Sequence, residues 1–213
     1  MSTNFLFDQT WELLHWSQSL LKGGWDGKVP AIPEMKGELG AHLHPRGKRV
    51  SQLIQKYQPH YLGREPLWKG SVEPELLVVC NSISNPASHP LSLEEEEYTH
   101  KWYVAINLDP SKVFLINLPS LDHPELVPVF FQDLYVILQP KCLLTLGEEA
   151  ARAILQVQVG LESLRGRDHM ILGCPLLPTY HPANVLENRD LRNPVWQDIQ
   201  RVKGILGYDP PVA

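Results

Sequence analysis

No apolar run in this 213-residue sequence approaches the roughly 20 residues that cross a bilayer, and its amino terminus, MSTNFLFDQTWELLHW, lacks the basic flank of a secretory signal. No membrane partner and a cytoplasmic location are therefore expected. Cysteine is scarce: Cys80, Cys142 and Cys174 are an odd set without a CxxC, each in or beside an apolar run. Buried, reduced thiols are expected rather than disulfides or a metal site. Internal repeats are absent, and the glutamates at 94–97 form the only biased tract.

The composition is 43% hydrophobic and 20% charged, which excludes disorder of the whole chain. The length suits one compact domain with an elaborated end. The net charge of -5 is unevenly spread. Residues 36–70 carry seven cations against two acids, whereas residues 71–100 carry six acids and no cation. That layout predicts either two separate faces, one suited to phosphate and one repelling it, or two solvated loops.

Four apolar runs without strict alternation, at 76–80, 113–117, 142–146 and 176–180, read as strands covered on both faces. Apolar residues at spacings of three and four predict helices over 125–138 and 45–57, and a third follows Gly147, with Glu148 and Glu149 at its dipole-favoured start. Asn193-Pro194 launches a last helix that stops at Gly207, and another is expected over 4–21. Strand followed by helix, repeated, predicts an α/β protein: a three-layer α/β/α sandwich around a four-stranded parallel sheet. Residues 1–70 would form a helical or irregular extension, and 71–213 the α/β domain. Ligands of such sheets sit beyond the carboxyl ends of the strands, here Asn81, Asn117, Gly147 and His181.

The stretch Leu177-Pro178-Thr179-Tyr180-His181-Pro182-Ala183-Asn184, followed by Arg192-Asn193-Pro194-Val195-Trp196, resembles the carboxyl-terminal motif of the uracil-DNA glycosylase superfamily. The closest resemblance is to its bacterial and archaeal iron-sulfur branch, family four. Two further pieces fall in the same order: Pro140 to Ala151, a strand entering a helix through Leu146-Gly147, and Val113 to Leu118, a strand ending in asparagine. The resemblance implies the glycosylase fold over roughly 73–206, and base excision from DNA. Enzymes of this kind flip a base out of the stack and read its polar edge. It also implies roles: His181 as the donor that stabilises the leaving base, and Asn117 as the amide that reads the uracil edge. Read without the resemblance, His181 caps a turn before proline and Asn117 is a strand-end turn former.

The sequence departs from that pattern in several places. Asn81 stands where the branch has its acidic residue; an amide can orient water but cannot take its proton. Ser82 follows it where close backbone approach would favour glycine, so both are candidate site residues. Leu91 occupies the place of the aromatic that stacks on the base. Glutamates 94–97 replace a loop that meets the DNA backbone, and no cysteine precedes Cys80, so no iron-sulfur cofactor is expected. His42 and His44 lack a convincing third ligand, and no metal is assigned. Function therefore divides between two classes. One is a nucleobase-binding glycosylase with weak or altered N-glycosidic hydrolysis, acting on DNA or on a free nucleobase or nucleoside. The other is a catalytically inactive module that keeps the fold for binding or assembly with a protein partner.

Overall fold

The computed structural model describes residues 44–62, 66–81, 89–118 and 121–208, all within one compact unit spanning Gly37–Ala213. The helix expected over 4–21, His42 and Ser82 lie outside the described residues. The described part of the expected extension contributes a helix and a strand to this unit.

Helix α1, Pro45–Tyr57, starts with proline at its first position and with His44 as its cap, whose ring nitrogen accepts from the Arg46 N–H at 3.2 Å. One imidazole weighed as a zinc ligand is thus a helix cap. Strand β1 is Trp68–Gly70 and β2 is Leu76–Cys80. Helix α2, Leu93–Ala105, precedes β3, Val113–Asn117; helix α3, Leu126–Leu138, precedes β4, Cys142–Leu146. Then come α4, Glu148–Leu155; α5, Leu161–Leu164; β5, His169–Ile171; β6, Cys174–Thr179; α6, Pro182–Glu187; and α7, Arg192–Leu206.

The sheet is mixed and six-stranded, in the order β1-β3-β2-β4-β6-β5. Its four central strands are parallel, and β1 and β5 are antiparallel edges. The expected four-stranded parallel sheet is corrected on this point. Each edge strand has only three residues, too few to show a period beside its flanking glycines and prolines. At one edge Gly70 is obligatory: its φ is +100°, and a Cβ there would lie 2.2 Å from the Val113 carbonyl oxygen.

Successive residues of the parallel strands feed two cores. Leu77, Val79, Phe114, Ile116 and Leu143 face α1, α3 and α4, which contribute Leu53, Phe130, Leu134 and Ile154. Leu76, Val78, Leu115, Leu144 and Leu177 face α2, α6 and α7, which contribute Trp102, Val185, Ile199 and Val202. Burial on both faces explains why these strands read as unbroken apolar runs. The chain passes from β2 to β3 on one side, then returns through α3 to β4 on the other side of β2. That reversal puts the topological switch point between β2 and β4, where the ligand crevice of an open parallel sheet lies.

Glutamates 94–97 form neither a solvated loop nor a backbone-facing one. They open α2, whose start is set by a capping box that the sequence carries in only two residues. Ser92 and Glu95 have capping-box spacing, and both bonds form: the Glu95 N–H donates to Ser92 Oγ at 3.3 Å, and the Ser92 N–H to Glu95 Oε2 at 2.7 Å.

Candidate functional site

His181 follows β6 directly and caps α6, its Nδ1 accepting the Ala183 N–H at 3.3 Å. A nitrogen that accepts carries no proton, so in the neutral ring the hydrogen resides on Nε2. Nε2 is buried and has no hydrogen-bond partner among the described residues. Glu95 Oε1 stands 3.7 Å from Nδ1, with the two side chains only 15% and 12% exposed. Burial lowers the His181 pKa below its ordinary value, and the Glu95 carboxylate pulls the other way. The resulting group is a neutral imidazole presenting one unsatisfied N–H donor at the carboxyl edge of the sheet.

A buried network anchors the turn that carries it. Asp198 of α7, 2% exposed, accepts from Thr179 Oγ1 at 2.7 Å and from Arg165 Nε at 2.8 Å. The Arg165 guanidinium lies over the Tyr180 ring, 4.6 Å from its centroid. Thr179, Tyr180 and His181 are consecutive, so the network fixes the backbone entering the histidine. Sequence reasoning missed Asp198 and Arg165, because nothing local links residues 33 positions apart.

Asn81 follows β2 and donates from Nδ2 to Glu149 Oε2 at 3.1 Å. Glu149 belongs to the first turn of α4, which leaves β4 through Gly147. A Cβ on Gly147 would lie 3.5 Å from the His181 Cβ, so β4 exits directly beside the histidine. Asn81, Glu149 and His181 thus arise at the ends of three neighbouring strands, in the order β2, β4, β6.

Of the other predicted residues that are described, Asn117 is engaged in structure in part and Leu91 wholly. The Asn117 side-chain oxygen accepts the Leu67 N–H, while the Asn117 N–H donates to the Leu67 carbonyl at 3.1 Å, tying β3 to the segment entering β1. Its acceptor is committed, leaving the amide NH2 as the group it could offer a base. Leu91 is 1% exposed and packs in the core shared with α2 and α7 rather than presenting a surface to a ligand.

The charged segments are joined as well as set apart: Arg46 reaches Glu73 at 3.8 Å. Arg46, Lys48, Arg49 and Lys56 all belong to α1, which packs on the face of the sheet opposite α2 and α6. Lys56 pairs with Asp133 at 2.8 Å, and Lys69 with Glu96 at 2.5 Å. An acid, Glu95, stands at His181.

No family model matches the chain. Among curated proteins it is similar to an uncharacterized protein of Borreliella burgdorferi, 33% identical over 69 residues. The match covers 32% of this chain and 34% of that protein, so the chain spans about a third of the length of the relative it matches.

Among the described residues no three His, Cys, Asp or Glu side chains are grouped to hold a metal ion. All three cysteines are buried, and burial pushes the Cys80 and Cys142 thiols to about 12 and the Cys174 thiol to about 11. They are inert thiols at neutral pH. No described helix is long and apolar enough to cross a membrane.

Proposed function

We propose that this chain is a divergent member of the uracil-DNA glycosylase superfamily that binds a uracil-like base at the carboxyl ends of β2, β4 and β6 and hydrolyses its N-glycosidic bond. One observation carries the reading: His181 Nδ1 is occupied by the Ala183 N–H, which leaves an unpartnered, desolvated Nε2–H. A base that departs from C1′ takes the bonding electron pair with it, and the negative charge spreads onto its carbonyl oxygens. A fixed neutral donor in a dry site stabilises that charge more than it stabilises the intact nucleoside. Asn81, held by Glu149, is the candidate for orienting water, and the Asn117 amide NH2 is the remaining donor for the base edge.

Glu95 beside His181 and the cations of α1 on the opposite face favour a base presented as a nucleoside or on a single strand over one flipped from a phosphate-lined duplex groove. The same features, with Leu91 in the core, favour a second reading, a module that keeps the fold and performs no excision.

The test is release of uracil from 2′-deoxyuridine and from a single-stranded oligonucleotide with one deoxyuridine, by wild type and His181→Ala, with binding measured at two salt concentrations. Release that falls at least 100-fold in His181→Ala supports the glycosylase. No release and no uracil binding by the wild-type protein leave the module reading.

A further inference from the structure

The geometry points to Glu149 as the carboxylate that takes the proton from the attacking water, a catalytic base supplied by the start of α4 rather than by the turn after β2. This inference rests on the glycosylase reading and assigns the role that reading leaves vacant. Asn81 occupies the turn after β2, and an amide has no basic site for a water proton. A carboxylate does, and Glu149 Oε2 lies 3.1 Å from Asn81 Nδ2.

Three further observations converge. First, the Asn81–Glu149 bond bridges the ends of β2 and β4, the two strands between which the strand order reverses, where such sheets hold their ligands. Second, the two acids of the first turn of α4 are used differently. Glu148 is consumed by structure: it pairs with Arg152 at 2.7 Å and accepts the Leu161 N–H at 2.8 Å. Glu149 is exposed, and Asn81 is its recorded partner among the described residues. Third, Asn81 after β2 and His181 after β6 stand about two strand spacings apart, roughly 10 Å, and Glu149 enters between them from the helix that leaves β4. On this assignment the base is met by His181 while the water that attacks C1′ is held by Glu149 and Asn81.

The step balances. The water oxygen bonds to C1′ as one of its protons passes to the Glu149 carboxylate. The C1′–N bond breaks with its electron pair leaving on the base, whose oxygen accepts from His181 Nε2–H. The proton on Glu149 then passes to the departed base, giving a neutral base and a sugar bearing a hydroxyl at C1′. With Nδ2 donating to Glu149, the Asn81 Oδ1 remains to accept the second hydrogen of the same water.

The experiment compares wild type, Glu149→Gln and Glu148→Gln for uracil release from a single-stranded oligonucleotide with one deoxyuridine, and for uracil binding by NMR titration. Glutamine keeps an oxygen for the Asn81 amide and removes the base. The expected result is a fall in release of about 100-fold or more in Glu149→Gln, with uracil binding retained and Glu148→Gln like wild type. Release by Glu149→Gln at the wild-type rate overturns the inference and leaves the glycosylase reading standing. No release by wild type overturns the reading and the inference together.

Discussion

The two ends of the sheet use charge in opposite ways. At the amino ends, Glu75 sits just before β2 and gathers the Tyr208 hydroxyl, Lys112 Nζ at 2.9 Å from just before β3, and Lys141 Nζ at 3.3 Å from just before β4. Its own backbone joins in: the Glu75 N–H donates to Lys112 O at 2.8 Å, and the Lys141 N–H to Glu75 O at 2.9 Å. At the carboxyl ends, His181 Nε2 has no partner among the described residues, and Glu149 stands exposed on Asn81. A buried polar group without a partner costs stability, and at the carboxyl end this one stands at the same sheet edge as Asn81 and Glu149, which is the ground for the site proposed there. The Glu75 clasp is a fastener: it closes three strands and the tail of α7 onto one carboxylate.

Beneath the proposed site lies a scaffold as saturated as the clasp, and breaking it should have the largest effect. Asp198→Ala removes the bond that holds Thr179 and leaves the Arg165 guanidinium, only 10% exposed, without its buried counter-charge. The expected loss is about 3–5 kcal/mol in urea unfolding. A loss below about 1 kcal/mol would show that the histidine turn does not depend on this network.

Glu75→Gln should cost less, roughly 1–2 kcal/mol, because the lysines remain partly hydrated and glutamine can still meet Tyr208. Its signature is in pH. Bonding to Tyr208, then Lys112 and Lys141, holds the Glu75 carboxyl at about 2, below its ordinary 4.5. A carboxyl depressed on folding contributes stability that is present above 4.5 and fades as pH falls toward 2. The urea midpoint of the wild-type protein should therefore fall more steeply over that window than that of Glu75→Gln, and parallel curves would remove the clasp from the comparison.

Much of this contrast is written locally in the chain, and some is not. The central strands are legible because burial on both faces gives unbroken runs such as Leu76 to Cys80, and α1 because Pro45 and its apolar spacing agree. The edge strands are not, since three residues carry no period. Helix α2 hid behind its charge: glutamates 94–97 read as a repulsive tract, while the Ser92–Glu95 box that starts the helix is a signal of only two residues. His181 and Asn81 could be named as candidates from their places at strand ends. The Glu149 contact could not, because it joins residues 68 positions apart. Leu91 and Asn117 were legible as positions but not as environments. Only packing reveals that one is core and that the other's acceptor is already engaged.

The smallest expected effect probes the comparison most finely, at the carboxylate 3.7 Å from His181 Nδ1. Glu95→Gln keeps the capping box, since glutamine serves at its third position as glutamate does, and removes only the charge near His181 Nδ1. Burial already lowers the His181 pKa and Glu95 opposes it, so the variant should lower it further. A histidine that resists protonation when folded loses stability as pH falls below the unfolded value of about 6.5, until the folded ring also takes its proton. In Glu95→Gln that decline should run to lower pH and end deeper, by less than about 1 kcal/mol, while stability at pH 8 stays close to wild type. NMR of the His181 ring nitrogens would read both the shift and the tautomer. Proton on Nε2 at neutral pH in both proteins would fit the Ala183 bond as the feature that fixes the donor. Proton on Nδ1 in wild type alone would instead make Glu95 the partner that holds it, and would turn the unpartnered Nε2 from a donor into an acceptor.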